Sequence, residues 1–209
     1  MARHVLRFMR DRLDANTRAS LPAMNRVLYV LEGALTVDGK SVPREAAWHG
    51  AGACVTVAGP AGATVLRYEL ISEGTPATGT PLLAQDIRLD PQAAYLMRCD
   101  RVDFDLGAEA LPHRHKGGGI RCLISGTMEL RVEGERDRTI KQGEAWFESG
   151  REPVYARASS TQPTSFIRCS ILPREIRGQS SIMYVDPKDV ASKPRKYTVF
   201  VDEPIELPR

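Results

Sequence analysis

Aromatic residues are scarce in this chain, at 6% of 209 residues, and only two of them are tryptophan. No stretch reaches the roughly 18 apolar residues in a row that a membrane-crossing helix needs, so the sequence predicts no membrane span. The opening MARHVLRFMRDRLD holds four arginines and two aspartates and lacks the apolar middle of a secretory signal; a cytoplasmic location is the expectation. The four cysteines (Cys54, Cys99, Cys122, Cys169) form no Cys-x-x-Cys pair, which argues against a zinc finger or a dithiol redox centre and for reduced, buried thiols. A net charge of +3, with no basic run and no interleaved aromatics, excludes a nucleic-acid footprint. Helical periodicity is also rare: only LDPQAAYLM (89–97) and DPKDVAS (186–192) suggest short turns.

What the chain does have is a repeat. VLYVLEGALTVDG (27–39), AAWHGAG (46–52) and LRYELI (66–71) return in the same order as IRCLISGTMELRVEG (120–134), EAWFESG (144–150) and IRCSIL (167–172). Gly33 is matched by Gly126, Trp48 by Trp146 and Arg67 by Arg168. Each copy reads as strands. In TMELRVEG, Met128, Leu130 and Val132 alternate with Thr127, Glu129 and Arg131, giving one buried and one wet face. Asp38-Gly39 and Glu133-Gly134 mark hairpin turns. The fold class is therefore all-β, with many short strands closing as a sandwich or barrel. The divisions predicted are a first barrel over 1–71, a Ser/Thr/Gly/Pro-rich linker over 72–82, a second barrel over 83–182 and an extension over 183–209.

The second copy resembles the cupin superfamily. Gly107, five residues, and then His113-Arg114-His115, with Gly126 closing the run, is similar to the first cupin motif. Gly143 and Gly150 fit the second. The family's Glu position falls within Gly117-Gly118-Gly119, Ser149 stands at the usual proline, and Val154 stands near the usual third histidine. HRHKGGGIRCLISG is also similar to the gentisate-dioxygenase branch, Arg121 falling on that branch's arginine. The resemblance implies two tandem cupin barrels (double-stranded β-helix, jelly-roll), a bicupin.

Alternate strand residues share a face, so His113 and His115 project the same way. Two imidazoles on one face suit a divalent metal (Fe, Mn, Zn or Ni) completed by a carboxylate, for which Glu109, Glu148 and Glu152 lie near in sequence. Arg121 suits an anionic substrate and shares the histidine face unless a bulge at the glycines breaks the parity. Tyr155 is a further polar group beside the second motif. The rival reading is that the histidines only line a cavity. In the first copy, counting back from Gly33 puts Ser20, Pro22 and Arg26 at the ligand positions, which makes that barrel structural. The leading expectation is a metal-dependent cupin enzyme, dioxygenase-like, acting on a small carboxylated or aromatic molecule. The alternative is a non-catalytic cupin that binds a small ligand. A homodimer is expected through the apolar strand YTVFV (197–201), because uncovered sheet edges invite pairing.

Overall fold

The computed structural model describes residues 3–192 and 195–208. Among these, seventeen strands and two short 3-10 turns make up the regular structure, and the protein is all-β. No helix among the described residues is long and apolar enough to cross a membrane.

The chain divides into two compact units, one of residues 1–95 with 203–209 and one of residues 96–202. The first holds β1 (His4–Leu13), β2 (Arg18–Leu21), β3 (Asn25–Val37), β4 (Lys40–Pro43), β5 (Ala47–Gly50), β6 (Cys54–Ser72) and β7 (Leu83–Ile87). They form one seven-stranded sheet in which β3 and β6 run long, and it curls round a core that includes Leu28, Val30, Leu35, Val37 and Val65. The curl is made at Gly33, whose φ is 72° and which pairs with Ala63 and packs against Gly62, also at positive φ (80°). A Cβ at Gly33 would fall 2.1 Å from the Gly62 carbonyl oxygen. Asp38 and Gly39, at φ 48° and 80°, make the expected two-residue hairpin, a turn that needs positive φ at both positions.

The second unit follows with β8 (Tyr95–Phe104), β9 (Glu109–His115), β10 (Gly119–Ser125), β11 (Thr127–Val132), β12 (Arg138–Lys141), β13 (Ala145–Glu148), β14 (Val154–Ala158), β15 (Thr164–Pro173), β16 (Ile182–Tyr184) and β17 (Arg195–Ile205). Its sheets have the orders β13-β10-β15-β8-β17 and β12-β11-β14-β9-β16. Both supply one core, with Phe104, Leu123, Trp146 and Phe166 from the first sheet and Ala110, Met128 and Val154 from the second. Gly126 turns the corner between β10 and β11 at φ 72°, the value of Gly33. The alternation read in TMELRVEG holds, with Met128 and Leu130 buried between exposed Thr127, Glu129 and Arg131.

The repeat survives as ladder register. Leu28 lies between Trp48 and Arg67, and Arg121 lies between Trp146 and Arg168. All four cysteines are buried thiols.

The structure redraws the expected divisions. Residues 72–82 do not separate the units. Arg7 donates to the carbonyls of Thr75 and Pro76 (both 3.1 Å), Arg67 donates to that of Thr78 (2.6 Å), and β7 then pairs with β1. Composition marked a flexible segment, but buried arginines hold its carbonyls. The extension over 183–209 is not separate either: β16 pairs with β9, β17 lies beside β8, and residues 203–209 belong to the first unit. Of the two predicted turns, Pro187–Ala191 forms a 3-10 turn capped by Asp186, whereas 95–97 of the other is the start of β8.

A buried charge cluster lies in the first unit. The Glu69 carboxylate, fully buried, accepts from Arg7 Nε and Arg26 Nε, each at 2.7 Å, and from Arg67 at 3.0 Å. Arg67 also makes a two-point pair with Asp11, at 2.6 and 2.9 Å. Burial alone would raise the Glu69 carboxyl. Arg67 and Arg26 outweigh it and hold it below its ordinary 4.5, as paired guanidinium groups do to a carboxylate.

Candidate functional site

Alternation along β9 turns His113 and His115 inward, 5% and 7% exposed, while Arg114 points out and donates to the Arg151 carbonyl at 2.7 Å. The two rings stand nearly perpendicular, 87°, with centroids 4.9 Å apart. His113 Nδ1 lies 2.7 Å from the Leu111 carbonyl oxygen, which places its proton on Nδ1 and the lone pair of the neutral ring on Nε2.

Glu148, at the end of β13, is the carboxylate beside His115. Its Oε1 accepts from Trp146 Nε1 at 2.8 Å, and its Oε2 is 3.5 Å from His115 Nε2. The same Oε2 is 2.8 Å from Arg121 Nη2, an ion-pair contact rather than an aligned hydrogen bond. Arg121 Nη1 donates to the Gly119 carbonyl at 2.5 Å. The β10–β15 ladder stays regular from Gly119 to Leu123, with its shift only between Leu123 and Ser125, so Arg121 keeps the inward parity. Burial lowers the Arg121 guanidinium to about 10 against the opposing pull of Glu148; it stays charged at neutral pH.

Three residues expected near the site lie outside it. Glu109 has the parity of His113 by simple counting. The β14–β9 ladder, however, sets Val154 opposite His113 and Ala156 opposite Ala110, an extra residue on β9. Such a bulge reverses the facing, and Glu109 instead pairs with Arg157 at 3.7 Å on the surface. Tyr155 follows inward Val154 and faces out, under Arg131 at 5.1 Å; its hydroxyl is raised by burial and by its bond to Glu109. Glu152 sits on an exposed turn and accepts from the Ser149 hydroxyl.

The ligand positions that the sequence resemblance leaves empty also have physical causes. A Cβ at Gly119 would fall 2.6 Å from the Cys169 carbonyl oxygen, and one at Gly117 would fall 2.1 Å from that of Ile171. β15 runs too close for any side chain there. Val154 fills the place of a third histidine with an apolar wall.

The inner chamber bounded by His113, His115, Arg121, Trp146 and Glu148 measures about 20 Å³, room for about one water-sized group. Arg168 and Tyr197 line it and also line a second cavity of about 320 Å³, whose other walls include Arg98, Asp100, Ser181 and Asp202. Here Arg168 makes a two-point pair with Asp100 (3.0 and 2.7 Å) and Arg98 one with Asp202 (2.8 and 3.1 Å). Burial would lower Arg168, but Asp100 outweighs it and raises the group above its ordinary value. Its guanidinium lies 5.7 Å over the Tyr197 ring. Sequence reading missed this cavity. The match of Arg168 to Arg67 was a signal, but the partner Asp100 lies 68 positions away.

Two imidazoles and a carboxylate are the right donors for a divalent metal, but they are not arranged to hold one. Among the described residues no three His, Cys, Asp or Glu side chains gather as a metal site. Both Glu148 oxygens are engaged, and the oxygen nearest His115 already faces a guanidinium cation. A dication placed there would sit against that positive charge in a poorly screened interior.

No family model matches the sequence, and no curated protein matches it. The fold is shared with solved structures. Oxalate decarboxylase from Bacillus subtilis aligns with TM-score 0.62 at 12% identity, over 86% of this chain and 70% of that one. Salicylate 1,2-dioxygenase from Pseudoaminobacter salicylatoxidans aligns with TM-score 0.56 at 13% identity, over 93% and 74%. A cupin 2 conserved barrel domain protein from Leptotrichia buccalis aligns with TM-score 0.50 at 14% identity, over 79% and 88%. At these identities the likeness establishes the cupin-barrel fold.

Proposed function

We propose that the second unit binds a small aromatic or carboxylated molecule in the cavity of about 320 Å³, as a ligand-binding cupin that works without a resident metal. The observation that carries this reading is the wall shared through Arg168 and Tyr197 with the histidine chamber. A ligand seated against Tyr197 reaches the cluster of His113, His115, Glu148 and Arg121 with one small polar group. Tyr197, Val199 and Ile182 give an apolar side for a ring; Arg168, bound to Asp100 through Nε and Nη2, gives a guanidinium edge for a carboxylate. The solved relatives in fold are named for oxalate and salicylate, both small carboxylates.

Salicylate titrated into the protein is expected to bind saturably. Tyr197→Ala, a change at a side chain 42% exposed, is expected to weaken it at least tenfold. Unchanged affinity in that variant, or no saturable heat with salicylate, benzoate or oxalate, would remove the reading. A second reading, a metal-dependent enzyme of dioxygenase type, is favoured by the donor set His113, His115 and Glu148. Metal analysis separates the two. The first expects well under one equivalent of Fe, Mn, Zn or Ni, whereas the second expects about one equivalent, lost in His113→Ala.

We also propose a homodimer. It is motivated by β17, which is last in its sheet order and carries Val199 at 54% exposure. Light scattering is expected to give twice the chain mass at micromolar concentration, and a monomer mass would count against it.

A further inference from the structure

The first barrel, read from the sequence as structural, contains a cavity of about 250 Å³. Its walls are the internal counterpart of the histidine chamber. Leu28 holds the ladder place of Arg121, and Gly50 that of Glu148. On β2 the inward place of His113 is taken by Leu21, opposite Cys54 as His113 is opposite Val154, and Ala19, opposite Thr56, matches Ala110 opposite Ala156. Leu21 is one residue beyond the Ser20 that counting from Gly33 gave, because the segment from Leu21 to Arg26 is one residue shorter than that from His113 to Gly119. Val65 stands where the second copy has Phe166. The Trp48 ring lies over Gly50; at the cavity wall itself, Leu21, Leu28 and Val65 replace the polar or bulkier His113, Arg121 and Phe166. Together they turn a chamber of about 20 Å³ into one of about 250 Å³.

We propose that this cavity is a second binding site, for one uncharged, single-ring apolar molecule. Size is the first argument. A sealed apolar hole of about 150 Å³ takes up benzene, and the larger space here, open to solvent at Thr78 and Gly79, suits a ring with short substituents. Charge is the second. Among the described residues the ionic wall is Arg67 with Asp11, and Arg67 is already committed to Asp11, to Glu69 and to the Thr78 carbonyl. The guanidinium has its counter-ions, so an anion gains no unmatched cation and meets the Asp11 carboxylate. The Thr56 hydroxyl, 3.4 Å from the Ala19 carbonyl oxygen, is the neutral polar group at the wall, suited to a phenol-type hydroxyl.

The test is methyl NMR of the full chain titrated with p-cresol, toluene and benzoate. Saturable shifts are expected at Leu21, Leu28, Leu35 and Val65 with p-cresol and toluene, and at least tenfold weaker binding at these methyls with benzoate. Val65→Phe, which installs the second barrel's own residue, and independently Ala19→Phe, are expected to weaken p-cresol at least tenfold. Tyr197→Ala is expected to leave it unchanged, which separates this site from the one proposed in the second unit. Absent shifts at these methyls, equal benzoate affinity there, or p-cresol binding that survives whichever filling variant keeps the wild-type spectrum elsewhere would each overturn the proposal.

Discussion

Replacing Glu69 by alanine is expected to unfold or nearly unfold the first unit while leaving the second folded. Arg7 and Arg26 are essentially fully buried and both place Nε on this carboxylate. Removing one partner of a buried pair costs about 3–5 kcal/mol because the other charge is left uncompensated, and here two buried guanidinium groups lose their anion together. That is a large fraction of the ~5–15 kcal/mol that holds a typical domain folded. Each unit has one tryptophan, Trp48 in the first and Trp146 in the second, so fluorotryptophan labelling reports on each separately. Only the Trp48 signal should move to its unfolded position. The same cluster predicts acid sensitivity. The folded Glu69 carboxyl lies below its ordinary 4.5. Its contribution is therefore fully present above that value and is lost as pH falls through the lower folded value. Glu69→Gln should flatten this part of the pH–stability curve; a curve identical to wild type would sink the assignment.

Arg121→Met is the second large effect. It leaves Glu148, 7% exposed, without its guanidinium, and the second unit is expected to lose about 3–5 kcal/mol by the same reasoning. Removing both charges, as Arg121→Leu with Glu148→Gln, should recover at least half of that loss, since an apolar replacement for a buried pair is often neutral. The first copy already lives with Leu28 and Gly50 at these places. Taking away the cation also exposes the Glu148 oxygen toward His115. Arg121→Ala is expected to take up zinc where the parent chain does not, and to lose it again when His113→Ala is added. Denaturant midpoints and zinc titration read the two effects. Equal stability of Arg121→Met and the parent would rule out the paired arrangement.

The sequence revealed the fold more readily than the site because a strand writes its facing every second residue. Alternation in TMELRVEG, positive-φ turns at Asp38-Gly39 and the two Gly corners are local, and they are where the structure has them. The inward turn of His113 and His115 follows from the same period. Choosing Glu148 over Glu109 did not, because a bulge on β9 reverses the count. The linker reading of 72–82 failed because Ser, Thr, Gly and Pro show a backbone free to turn but not the grip of Arg7, 68 and 69 positions earlier, and of Arg67. Asp100 and Arg168, 68 positions apart, carry no spacing signal at all.

The path of β17 has a consequence for how the chain comes into being. Asn25 hands its amide proton to the Glu206 carbonyl at 2.7 Å, and His4 lies 3.2 Å from that of Pro208. Between Tyr95 and Glu203 the whole of residues 96–202 intervenes. In the order of translation the earlier unit is begun first and finished last, with the later one spliced into its middle. On the ribosome the opening strands must wait, partly bonded, until residues 203–208 emerge, and that delay is when an exposed edge is most open to a wrong partner. A chain halted at residue 202 would carry every residue of the later unit and still leave the earlier one without its closing hydrogen bonds.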